Sequence, residues 1–302
     1  MNNEIRSIIK NHNLHPISYR KMKKAYIIDT KDERYVLKPN TNNYDIYKYL
    51  LSRGFDYFPH NFNTKTGNYD LSRFIEDNSL NNSQKLNDLI GIVATLHKKT
   101  SYMREVDLDE VKELYEKLSN KINESIKYYS NLNDYIDTLL FYSPSEYLLI
   151  RNISLIYFML EFSKRKLSDW YQMIREEKSI RNSLIHNNLE LDHLLINNGY
   201  YLISWDNALF SYPIDDLYHL YRNYYDKIEL NDLFKTYQGV NTLNNYEFDL
   251  LLVELSIPEI IELTNDNYLD TKRINKMLFY LNKVYKLIKN HSYIETNANE
   301  VH

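Results

Sequence analysis

The apolar residues of this chain follow two periods. Ala25-Tyr-Ile-Ile-Asp-Thr30 and Tyr35-Val-Leu-Lys38 are short β-branched and aromatic runs on either side of a polar turn at 31–34, which predicts a β-hairpin. Residues 44–51 read as a short helix running into Arg53-Gly54. Farther on, Val111, Leu114, Tyr115, Leu118, Ile122 and Ile126 recur at helical spacing and predict an amphipathic helix from about Leu108. Ser143-Pro144-Ser145-Glu146 is a helix start, with a capping serine, a proline suited to the first position and a glutamate that completes a capping box. The helix it opens is apolar on nearly all sides through Phe162, the mark of a buried central helix. Helices are also predicted over 215–225, over 246–262 with Pro258 bending or breaking the second, and along Ile274, Met277, Leu278, Leu281, Val284, Tyr285 and Ile288. The pattern stops at Ser292, which predicts a disordered tail over 292–302.

The densest signal lies at 184–217. Leu184-Ile-His-Asn-Asn-Leu-Glu-Leu-Asp-His-Leu-Leu-Ile196 leads into a turn at Asn197-Asn198-Gly199. The strand over 200–204 returns and ends in Ser204-Trp-Asp-Asn-Ala208, followed by Pro213 and Asp216-Leu217. This run resembles the catalytic loop of the aminoglycoside phosphotransferase and choline kinase family and of the kinase-like bacterial spore-coat proteins. Leu184, Ile185, His186, Leu189, Leu194, Leu195, Ile196, Ile203, Trp205, Asp206, Ala208, Pro213, Asp216 and Leu217 match its frame. The resemblance implies a two-lobed protein-kinase-like α+β fold. A small mixed β/α N-lobe at 1–75 would be followed by a mainly helical C-lobe at 76–291 carrying the loop, then the tail at 292–302.

Within that frame, the residues that carry chemistry are altered. Asn188 stands at the position of the catalytic base. An amide can orient a hydroxyl but cannot take its proton near neutral pH, and losing general-base help costs ~10²–10⁴-fold. His193 stands where the family has a metal-ligating asparagine. Mg²⁺ prefers oxygen donors, whereas a softer divalent ion accepts imidazole. Alignment on Trp205 and Ala208 puts Ser204 at the metal-binding aspartate, while counting from the base position favours Asp206. Were the segment extended, 204 and 206 would share a face, so Asp206 could still reach the site. By contrast, His186 and Asp216 keep the identities that brace the loop in the family, and His97 reads as structural.

The resemblance also assigns parts of the N-terminal region. Lys38 ends a strand like the one that delivers a lysine to nucleotide phosphates. Its helix partner would be Asp45 or the site of Asn43, with an aspartate reaching less far than the family's glutamate. Residues 71–77 look like the hinge strand, and 89–97 like the apolar helix behind it. No glycine precedes Gly54, so the glycine-rich phosphate loop is absent, and Arg20-Lys21-Met22-Lys23-Lys24 takes its place. Without glycines, backbone N–H groups cannot approach phosphates as closely.

Composition narrows the classes. Hydrophobic content of 43% is ample for a core, and a formal net charge of −4 gives no push toward nucleic acid or an anionic membrane. The absence of cysteine excludes disulfides, thiol nucleophiles and cysteine zinc sites. The most apolar run, 147–162, is interrupted by Arg151, Asn152, Ser154 and Glu161, which argues against a membrane span. The expectation is a kinase-fold pseudoenzyme, cytoplasmic or assembled on a spore surface, that binds a nucleotide, a small molecule or other proteins. The competing expectation is an atypical small-molecule kinase using ATP and a divalent metal, with Lys38, Asp206 and His193 or Asp192 in its site.

Overall fold

The computed structural model describes residues 3–22, 25–39, 44–59, 61–62, 68–79, 81–264 and 266–299. Along the chain these form α1 (Asn3–Asn11), β1 (Pro16–Met22), β2 (Ala25–Thr30), β3 (Arg34–Pro39), α2 (Tyr44–Ser52), β4 (Asn61–Phe62), β5 (Tyr69–Arg73) and α3 (Asn82–Thr100). They continue with β6 (Tyr102–Glu105), α4 (Leu108–Asp137), α5 (Pro144–Arg151), α6 (Ile153–Glu176), β7 (Ser179–Ile185), β8 (Leu194–Ile196), β9 (Tyr200–Leu202) and β10 (Leu209–Ser211). The chain closes with α7 (Ile214–Tyr224), α8 (Leu230–Gln238), α9 (Asn245–Ser256) and α10 (Asn267–Asn299). Two compact units result: residues 1–100 with 186–209, and residues 101–185 with 210–302.

The first unit is built on an antiparallel sheet in the order β1-β2-β3-β5-β4. The predicted hairpin is there, with Ile27 opposite Val36 and Ile28 opposite Tyr35. Side chains alternate between sheet faces, so Ile28, Leu37 and Leu71 point to one side and meet Ile5, Ile8 and Ile9 of α1. Those three isoleucines sit at i, i+3 and i+4, one stripe of a short helix. The predicted helix at 44–51 is α2, and the apolar helix at 89–97 is the second half of α3. Lys23, Lys24 and Asn43 lie outside the described residues.

The second unit is mainly helical, with α6 packed on α4 and α9. Met159, Leu160, Leu167, Trp170 and Ile174 of α6 are buried. The capping box at Ser143 and Glu146 opens α5 as predicted. The single central helix expected through Phe162 is instead two, because Asn152 leaves helical geometry at φ −114°, ψ 8°, and turns its amide back to the Leu148 carbonyl at 2.8 Å. An asparagine side chain that bonds nearby backbone competes with helix continuation. Likewise α9 stops at Ser256, ahead of Pro258, rather than running to 262. The helical backbone of α10 extends past 292 to Asn299, beyond the predicted start of the tail. Elongating a nucleated helix costs little, and no glycine or proline interrupts that stretch.

Candidate active site

The candidate site is assembled within the first unit. In the β3–β5 ladder Lys38 pairs with Asp70, one position away from the Leu37–Leu71 core pair. Because Leu37 and Leu71 face α1, Lys38 and Asp70 share the opposite face of the sheet. Lys38 is exposed as a residue, yet the surrounding protein strips enough water from its amine to lower its proton affinity, and the Asp206 carboxylate partly restores it. Burial pushes Asp70 above the usual carboxylate range, and Asp206 adds to that shift. Tyr47 of α2 is raised by burial first, then by Asp206 and Asp70. Lys38, Tyr47, Asp70 and Asp206 therefore form one electrostatic group.

The 186–207 segment is held by its own hydrogen bonds. His186 is fully buried, donates from Nε2 to the Ile203 carbonyl at 2.9 Å and lies edge-on to Trp205 at 4.8 Å. Trp205 in turn packs against Phe55 and Phe58, and Phe58 against Tyr47. Asn187 takes a left-handed backbone (φ 54°) and donates its amide to the Asn207 carbonyl at 3.3 Å. Asn188 is partly buried, and its side chain makes no hydrogen bond among the described residues. Its backbone carbonyl accepts from His193 Nδ1 at 2.6 Å. This bond places the His193 proton on Nδ1. The two positions expected to serve base and metal are thus tied to each other.

Past the β8–β9 hairpin, Ser204 adopts φ 70°, ψ 50°, and a 3-10 turn spans Trp205–Asn207. The extended backbone anticipated for 204–206 is absent. A left-handed bend followed by a tight turn presents Asp206, which is exposed, toward Lys38, Tyr47 and Asp70. Asp45 sits exposed in the first turn of α2, and the carboxylate that sustains the charge of Lys38 is Asp206. Asp192 is exposed in the 3-10 turn Leu191–His193, and His97 is fully buried in α3. Asp216 belongs to the second unit, fully buried in the first turn of α7. A carboxylate there meets the unpaired N–H groups and positive end of the helix.

Tyr47 and Asp70 are the members of this group that sequence reasoning passed over. Asp70 flanks a core leucine as Lys38 does, but only the strand register shows that the two are opposite. Tyr47 occupies the helix where a carboxylate was sought. Among the described residues no cluster of three or more His, Asp or Glu side chains could hold a metal ion by itself. Asp206 fits Mg²⁺ only in the manner of sites with one or two protein carboxylates and phosphate oxygens for the rest.

Neither protein-family models nor curated proteins give a match to this chain. Solved structures do. An aminoglycoside phosphotransferase from Alicyclobacillus acidocaldarius superposes with a TM-score of 0.64 at 13% identity, covering 98% of this chain and 96% of its own. A glucosamine kinase superposes with a TM-score of 0.52 at 8% identity, covering 91% of this chain and 78% of its own. The chain has the protein-kinase-like fold. At these identities the likeness concerns the backbone, in which the kinase-like fold combines a small antiparallel sheet with a mostly helical remainder.

Asp216 and Asn188 should respond differently to mutation. Asp216→Ala is expected to lower stability by about 1–3 kcal/mol, since its buried partners lose an acceptor. Asn188→Ala should change it by under about 0.5 kcal/mol, because the bond at that position is a backbone one. Urea denaturation of both variants checks this, and equal effects would remove the distinction.

Proposed function

We propose that this chain is a kinase-fold pseudoenzyme: a nucleotide-binding or scaffolding module with weak or no phosphoryl transfer. The observation that carries the reading is the bond from His193 Nδ1 to the Asn188 carbonyl. The imidazole at the metal position braces the backbone at the base position, and the base itself is an amide without a proton-accepting carboxylate. The cluster of Lys38 and Asp206 supports retention of nucleotide binding. Lys38 would meet phosphate oxygens, and Asp206 would hold a divalent ion jointly with them. That ion would supply charge neutralisation on the phosphates. A place in a protein assembly, a spore coat included, belongs to the scaffolding form of this proposal.

The second reading, an atypical small-molecule kinase, draws on the same group. Tyr47 and Asp70 both hold their protons more tightly than usual, so the site is not stripped of titratable chemistry. Calorimetric titration with Mg-ATP, paired with an ATP-consumption assay, separates the two. The expected result is binding that Lys38→Ala weakens about tenfold or more, without turnover near the ~1–100 s⁻¹ of kinases. Asn188→Asp alone should gain nothing, because Ser204 and His193 remain. Turnover at kinase rates that Asp206→Ala abolishes, or a robust gain from Asn188→Asp, would overturn the pseudoenzyme in favour of the kinase. Absence of ATP binding would leave the scaffold alone.

A further inference from the structure

A cavity of about 500 Å³ opens within the helical second unit, between α4, α7 and α9. Leu114 and Leu118 form its apolar wall, and Lys117 and Lys121, one helical turn apart on α4, bring two ammonium groups to it. Tyr218 of α7 and Glu254 of α9 face them. None of these four polar side chains makes a hydrogen bond or an ion pair among the described residues. That is costly for Glu254 in particular, because Leu250, Leu251, Leu252, Val253 and Leu255 of the same helix are all buried. Polar groups crowded by protein and left without partners fit a site that acquires them from a ligand.

We propose that this cavity binds a small organic oxyanion, a carboxylate or phosphate monoester bearing an apolar portion. Its oxygens would take hydrogen bonds from Lys117, Lys121, Tyr218 and Glu254, and its apolar part would lie on Leu114 and Leu118. The protonation of Glu254 fits this role. Burial, followed by the Asp215 carboxylate, pushes it up to about 8 against the opposing pull of Lys121 and Lys117, so near neutral pH it is largely a donor. Lys121 is lowered by burial, with Arg222 and Lys117 in the same direction and Glu254 and Glu259 opposing. Glu124 of α4 also lines the cavity, Arg222 of α7 pairs with Glu259 at 3.6 Å, and Asp215 accepts from the Ser211 hydroxyl. With rising pH, Glu254 becomes an anion and Lys121 loses its charge. Both changes weaken oxyanion binding.

The test is calorimetry of the full chain with three probes: inorganic phosphate, acetate and hexanoate. Hexanoate is expected to bind more tightly than acetate if the leucines contribute, and phosphate binding above that of hexanoate would assign the phosphate form. Binding should weaken about tenfold or more between about pH 7 and about pH 9.5. Lys117→Ala with Lys121→Ala should abolish it at neutral pH. Glu254→Gln, which keeps a donor of the same shape, should retain binding and move its loss to higher pH. A chain that binds none of the probes, or binds them equally after the double lysine exchange, overturns the proposal. So does wild-type binding that is indifferent to pH.

Discussion

Asp77→Ala is expected to lower the unfolding free energy by about 3 kcal/mol or more. Its carboxylate receives the Lys85 ammonium, the N–H and hydroxyl of Ser79, and the Ile196 N–H at 3.2 Å. Lys85 keeps only 4% of its surface exposed, so removing Asp77 strands a buried charge. The Asn78 N–H also donates to the Ile196 carbonyl at 2.9 Å, so residues 77–79 and β8 come loose together. Burial works against the ionised form of Asp77, yet Lys85, Ser79 and Ile196 outweigh it and hold the carboxyl below its ordinary range. Its contribution is therefore complete above that ordinary range and fades as pH falls through the lowered value. Urea titrations of wild type, Asp77→Asn and Asp77→Ala should diverge at neutral pH and converge in strong acid. A loss under about 1 kcal/mol at neutral pH would show that water replaces the carboxylate at Lys85.

Arg181→Ala should cost about 3–5 kcal/mol in the second unit. The guanidinium grips both oxygens of Glu247, through Nε at 2.8 Å and through a terminal nitrogen, and reaches Asn241 at 3.1 Å and the Thr242 carbonyl at 2.8 Å. Glu247 is 1% exposed and also accepts the Asn244 N–H, which completes the capping box of α9. Without Arg181 the carboxylate stays buried, with only the cap as its partner among these bonds. The double exchange Arg181→Met with Glu247→Gln should recover much of the loss, because it removes the stranded charge along with the pair. If the double variant is as unstable as the sum of the singles, the pair is not the source of the effect.

The legibility of the sequence follows from the range of each interaction. The hairpin, α2, α4, the start of α5 and the frame of the 184–217 loop depend on local period, capping and spacing, and all are present where the pattern puts them. The stripe of Ile5, Ile8 and Ile9 was also in plain view, but α1 is short and its meaning lies in the sheet it covers. The break at Asn152 depends on one side chain turning onto its own backbone, a choice that an unbroken apolar pattern hides. For the site, the family resemblance offered Lys38, and Asp206 as one of two alternatives. Asp70 could not be read in advance, since its place opposite Lys38 is a matter of strand register. Nor could Tyr47, whose neighbours come from β5 and from the turn after Ser204.

The bend at Ser204 has a consequence for how such a site can change over generations. Its left-handed backbone is one that aspartate and asparagine enter more readily than most residues. The family resemblance offers Ser204 as one of two candidates for the metal-binding aspartate position, and a serine there carries no charge on that bend. Placing a carboxylate there by Ser204→Asp therefore asks for no new backbone conformation. Together with Asn188→Asp it would put two acidic side chains on a loop held by His186 and Trp205. A loop of this shape would need both exchanges, not one, to carry a carboxylate at each of those positions.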